Sequence, residues 1–245
     1  METLVQPNSH FKQKVTMKNL LIAITAVFFI ANGQATAQTA EQLMMQQQFF
    51  NHYGKIYQKG VKSTDLTGPK YLYDEWREIF LKTKDFEVTL SAVKINLYET
   101  VLEVFYQGEE KIIFAKDFQY FIISENGEER KFIPAHGYTY SGKMLEGFME
   151  VAGEDEKQVL VQHYTGIKEP GPSANIVGGP TGNVLVKSSK TYIFSKGKLT
   201  QVKNKKQFAQ YFNEKSKLAE KLMKEKKTDF KKPVQLYEIM ELVQG

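Results

Sequence analysis

Cysteine is absent from this 245-residue sequence, tryptophan occurs once, at Trp76, and histidine only four times. Without cysteine there is no disulfide, no thiol nucleophile, no iron–sulfur cluster and no cysteine zinc site. His52, His136 and His163 are far apart and have no neighbouring His, Asp or Glu at ligand spacing. A zinc site would have to be assembled from distant strands, so each is expected at the surface or rim. No Gly-x-Ser-x-Gly elbow is present to pair with any of them. The glycine-rich stretch "IVGGPTGN" (176–183) lacks a Lys-Ser/Thr ending and runs into a strand pattern, so no helix N-terminus is there to hold a phosphate. Neither a metal set nor a cofactor signature is read, and no catalytic residue is assigned.

Long apolar runs are scarce too: there is one, Leu20 to Ala31, preceded by Lys18 and followed by Ala35-Thr36-Ala37. A basic start, a short apolar core and small residues at −3 and −1 make a secretory signal peptide, with Ala35 and Ala37 just before the cleavage site. Twelve helical residues span about 18 Å, short of a hydrocarbon core of about 30 Å. Residues 1–37 are therefore expected to be leader and signal peptide, with Met17 as the true start, and the protein to be exported to the periplasm or the outer-membrane surface. No cysteine follows the run, which excludes a lipid anchor, and the mature chain has no second run of spanning length. A core must hold the exported chain together, and a chain of about 200 residues buries roughly 70% of its unfolded surface.

Charge is unevenly spread. The sequence carries 33 basic and 28 acidic residues. Residues 196–232 hold thirteen lysines against Glu214, Glu220, Glu225 and Asp229, and the rest of the mature chain is mildly acidic. Residues 38–67 read as an N-terminal helix, over about 40–58 with Leu43, Met44, Met45, Phe49 and Phe50 apolar, followed by a linker. Residues 68–203 read as an antiparallel β domain. Phe86, Val88 and Leu90, then Val93, Ile95 and Leu97, then Leu102, Val104 and Tyr106 alternate with polar residues, the period of half-buried strands. Gln107-Gly108, Asn126-Gly127, Gly153 to Glu156 and Lys196-Gly197 mark hairpin turns. The proline- and glycine-rich segment 168–182 predicts a long loop. In 204–245, Phe208, Tyr211, Phe212, Leu218, Ala219 and Leu222 recur at helical spacing, and Pro233 suits the first turn of a last helix. The fold class is α+β: an antiparallel β-sheet meander of hairpins with a C-terminal bundle of two to three helices packed on the sheet.

"YLYDEW" (71–76), "INLYETVLEV" (95–104), "KTYIFSKGKLTQV" (190–202) and "KKQFAQYF" (205–212) together resemble an exported protein family of Bacteroidetes to which no activity is attached. The resemblance covers residues 68–243 and rests on fold-making residues. It implies export and this architecture, with the opening motif starting the sheet, and it implies no chemistry.

Tyr71, Tyr73 and Trp76 beside Asp74 and Glu75 form a candidate binding surface for sugar or peptide. The plainer reading puts Leu72 and Trp76 toward the core and the tyrosines at the rim. Asp74, Glu75, Glu78, Asp85 and Glu87 are the densest acids, yet they alternate along strands as a solvated face would, and a glycosidase pair needs an apolar cleft. Lysines near an anionic surface contribute roughly 1 kcal/mol each at low salt. The basic helices thus suit an anionic membrane surface or an envelope protein; export removes nucleic acid as a partner. The sequence favours a non-enzymatic binding or interaction module of the envelope, the alternative being a hydrolase of envelope glycans using paired carboxylates. Convergence of two acids, or of an acid and a histidine, in a concave cleft would favour the enzyme.

Overall fold

The computed structural model describes residues 40–56, 66–154, 156–169 and 183–244. The cleavage-site alanines and nearly all of the proline- and glycine-rich loop lie outside these residues. The chain divides into two compact units, Met1–Met45 and Gln46–Gly245. Of the first, only residues 40–45 are described, the start of helix α1 (40–53), with Leu43, Met44 and Met45 exposed. The sheet and the later helices all belong to the second unit.

Helix α1 ends five residues earlier than its pattern predicts. Gly54 donates its backbone N–H to the Phe50 carbonyl, and Lys55–Ile56 (β1) then pairs with a strand. Phe49 and Phe50 are the buried side chains of the helix.

Eleven strands form one antiparallel sheet, in the order β1-β5-β4-β3-β2-β6-β7-β10-β11-β12-β13. β2 (Arg77–Lys82) is the branch point. On one side lie β3 (Glu87–Asn96), β4 (Val101–Tyr106) and β5 (Glu109–Phe114). On the other lie β6 (Tyr120–Glu125), β7 (Glu128–Pro134), β10 (Phe148–Glu154), β11 (Lys157–Lys168), β12 (Val184–Ser195) and β13 (Lys198–Val202). The hairpin turns fall at the predicted dipeptides, with both residues left-handed: Gln107 and Gly108 at φ 51° and 83°, Asn126 and Gly127 at 53° and 81°. That geometry matches the strands' own twist.

Between β5 and β6 the chain crosses three strands in a few residues, three of them in a 3-10 turn at Ala115–Asp117. In a flat sheet the two strands would lie about 19 Å apart, close to the reach of six extended residues. The β2–β5 arm is therefore curled, and Phe118 of the crossing is buried against Phe121 and Phe148.

The inner face of this curl is largely apolar: Ile79, Leu81, Leu90, Val93, Ile95, Leu102, Phe121, Phe132 and Phe148 form one buried cluster with Phe49 and Phe50, the alternation shifting at a bulge between Leu90 and Val93. Cross-strand pairing carries the same face onward from Phe148 through Ala152 and Val159 to Ile193. There Val159, Ile193 and Val202 pack under α2 (Lys205–Gln210), α3 (Ser216–Glu225) and α4 (Pro233–Gln244), through Phe208, Ala219, Met223, Leu236, Ile239 and Met240. The predicted docking of apolar helix faces on the sheet is present, and α4 begins at Pro233. Asn204 caps α2, accepting from Gln207 N at 2.9 Å.

The reverse face is also covered at one end. β8 (Thr139–Tyr140) and β9 (Lys143–Met144) form a small separate hairpin between β7 and β10. Its neighbourhood supplies Tyr138 and Tyr140 to a third cluster with Met149, Leu160, Tyr192 and Leu199.

Candidate functional site

One row of side chains on the inner face is ionic, between the two apolar clusters. Glu150 of β10 stands opposite Phe132 of β7 and Val161 of β11, so Arg130 and His163 lie diagonally beside it on the same face. Arg130 takes the carboxylate as a fork, Nε to Oε1 at 2.8 Å and Nη2 to Oε2 at 2.7 Å. His163 Nε2 lies 3.1 Å from Oε2. Glu150 is 5% exposed. Burial alone would raise its carboxyl, but the hydrogen bonds from Arg130 and His163 outweigh that and hold it below the usual range. Arg130 also donates to Tyr73 Oη and, at 3.2 Å, to Glu125. The Tyr73 ring lies against two guanidiniums, Arg77 at 4.7 Å and Arg130 at 5.8 Å, and burial pushes its hydroxyl up.

This row is the floor of a cleft of about 720 Å³. One wall is the tip of the β6–β7 hairpin, with Asn126, Glu128 and Glu129. The other is the α3–α4 connection and the start of α4, with Lys226, Thr228, Lys231, Lys232 and Val234.

The three aromatic candidates do not form one platform. Tyr71 donates to Glu103 at 2.8 Å, and Asn96 Nδ2 donates to the same carboxylate at 2.6 Å. Asn96 Oδ1 in turn accepts from the backbone N–H groups of Tyr98 and Glu99, so this buried network sets the β3–β4 turn. Tyr73 goes to Arg130. Trp76 is 40% exposed, near Phe105 at 6.3 Å. Among the described residues Tyr71 and Trp76 share a neighbour, the Lys94 ammonium, 4.8 Å and 5.2 Å from their ring centres. This corrects the plainer reading of the motif: Leu72 does pack against the core, but Trp76 faces out and the tyrosines take the buried polar contacts. A phenol can donate, as Tyr71 does to Glu103, or accept, as Tyr73 does from Arg130, whereas an indole can only donate.

Asp74, Glu75, Glu78, Asp85 and Glu87 are all exposed, as the strand alternation predicts. The buried carboxylates lie elsewhere, at Glu103 and Glu150, and His163, expected at the rim, is 16% exposed and turned inward. Among the described residues no group of three His, Cys, Asp or Glu is placed to hold a metal.

Fold and site together define a curled antiparallel sheet with helices on its inner face and a charge-paired floor beneath a cleft. The chain matches no protein-family model, no curated protein and no solved structure.

Proposed function

We propose that the mature chain is an exported, non-enzymatic interaction module of the cell envelope, periplasmic or outer-membrane-associated, which meets an anionic membrane surface through its C-terminal helices. The observation that carries this reading is the disposition of the lysines: all thirteen between Lys196 and Lys232 are exposed. On α3, Ala219 and Met223 face the sheet, while Lys217, Lys221 and Lys224 point the other way, beside Leu218 at 42% exposed. Glu220 and Glu225 flank these lysines, and Glu225 lies 3.8 Å from Lys221; the face keeps a net positive charge with one apolar side chain in it, which suits an anionic headgroup layer. No described helix is long and apolar enough to cross a membrane. The resemblance to exported proteins of Bacteroidetes and the signal-peptide pattern support the compartment. Cell fractionation of the tagged chain tests the reading. Membrane association should be lost as salt rises toward about 0.5 M; association unchanged by salt, or crosslinking to a single envelope protein with no lipid dependence, would refute the lipid surface.

The second reading, a hydrolase of envelope glycans, is favoured by one observation: Glu150 and His163 converge at a cleft floor. Its chemistry fits poorly, because a general acid needs a raised pKa and Glu150 is held low by a two-point guanidinium contact. Release of soluble fragments from purified envelope glycan, abolished by Glu150→Gln, would establish it over the first.

A further inference from the structure

The cleft has an acidic wall at the β6–β7 hairpin and a facing wall at the α3–α4 connection where Lys226, Lys231 and Lys232 stand with Asp229 and Glu238. Lys226 pairs with Glu238 at 3.3 Å and Asp229 accepts from Lys231 N, so the free charges of that wall are ammonium groups. Among the described residues, Glu128 and Glu129 on the hairpin have no ion-pair partner, and neither do Lys231 and Lys232 across from them. On the floor, the Glu150 carboxylate is already held by Arg130 and His163. The basic wall also contains the N-terminus of the twelve-residue α4, whose first turn has no acidic residue. Pro233, Val234 and Gln235 of that turn line the cleft, and such a helix end attracts an anion. A separate observation points the same way. Thr228 lines the cleft and is 2% exposed, and its hydroxyl is buried with no hydrogen-bond partner among the described residues. A buried hydroxyl left unpaired costs free energy, which an acceptor in the cleft would recover by drawing the Thr228 side chain toward it. The loop holding it is fixed, with Asp229 N donating to Gln235 Oε1 at 2.7 Å and Lys231 N to Asp229 Oδ1 at 3.0 Å.

We propose that this cleft binds a small zwitterion of the amino-acid or short-peptide class, its carboxylate against Thr228, Lys231, Lys232 and the first turn of α4, and its ammonium against Glu128 and Glu129. Neutral, purely anionic and purely cationic molecules each satisfy one wall at most. The volume, about 720 Å³, falls in the range that holds small ligands, roughly 300–1,000 Å³. The site is separate from the outward face of α3 and stands or falls independently of membrane docking.

Calorimetric titration of the mature chain tests it, with alanine, dialanine and trialanine as probes, since each residue adds up to about 3.5 Å between the two charges. At least one of the three should bind. N-acetylation or C-terminal amidation of that probe should each weaken it about tenfold or more, the scale of losing one charged contact. Glu128→Gln with Glu129→Gln should remove the penalty for acetylation and leave the penalty for amidation; Lys231→Gln with Lys232→Gln should do the reverse. These four side chains are exposed, and an unchanged melting temperature confirms that the variants fold. Absence of binding by all three probes, or equal binding of the free and blocked forms to the unsubstituted protein, would overturn the proposal.

Discussion

Arg130, Glu150 and His163 put a charge cluster where the alternation of β10 calls for apolar side chains. Its worth to the fold lies less in attraction than in the cost of breaking it. A buried ion pair often gains little over hydrophobic residues, but removing one partner leaves an uncompensated charge, at a cost of about 3–5 kcal/mol. Arg130→Ala should therefore destabilise the protein by about that much in urea unfolding, whereas Arg130→Met combined with Glu150→Leu should recover most of the loss. The acid response stems from the lowered carboxyl of Glu150. A group whose pKa falls on folding adds stability above its unfolded value, and that stability disappears as pH drops through the folded value. Stability measured from pH 6 downward should decline through and below the ordinary carboxylate range, and Glu150→Gln should flatten that part of the decline. An identical acid limb in the variant would show that other carboxylates set it. The sequence does carry a sign of this cluster. Glu150 is in phase with Phe148 and Ala152, an acid at an inward position of an apolar strand. Its partners lie 20 and 13 residues away on other strands, so only the register reveals them.

Among elements, those specified locally are the readable ones. The Gln107-Gly108, Asn126-Gly127 and Lys196-Gly197 turns, the strands they join, and the α4 start at Pro233 all depend on neighbouring residues and fall where the pattern predicts. Three features depend on distant contacts and escape the pattern. The β8–β9 hairpin is too short to show a period, α1 yields to strand pairing at Lys55, and the order of strands around β2 is fixed by tertiary packing. Gly153 shows how tightly α4 is seated. At φ 95°, a β-carbon there would lie 2.3 Å from the Tyr237 ring and 2.5 Å from the Lys157 carbonyl. Gly153→Ala must therefore strain the backbone and push α4 off β10, at a cost of about 1–3 kcal/mol for the backbone alone. Thermal unfolding should show the loss, with Tyr237→Ala in the same chain relieving part of it; a melting temperature equal to that of the unsubstituted protein would contradict this seating.

For the whole molecule, the sheet's inner face has one apolar cluster closed by α1 and the arm's own curl, and a second closed by α2–α4. Deleting residues 204–245 would bare Val159, Ile193 and Val202, and an exposed apolar sheet face drives aggregation. The truncated chain should be insoluble or unfolded by near-ultraviolet circular dichroism; a soluble, folded sheet would show that the helices are not part of the core. With their apolar sides taken up in this way, α2 and α3 present a lysine-rich side to solvent, while α4, which carries no lysine, presents Val234, Glu238, Glu241 and Leu242; the lysine side of α3 is the one proposed to meet anionic lipid. Co-sedimentation with vesicles tests this, comparing neutral with anionic composition at low salt and at about 0.5 M salt, for residues 38–245 and for their Lys217→Glu, Lys221→Glu, Lys224→Glu triple variant. Binding should occur to anionic vesicles only, weaken with salt and disappear in the triple variant. Equal binding to neutral vesicles, or a triple variant that binds as well as the unsubstituted chain, would contradict it.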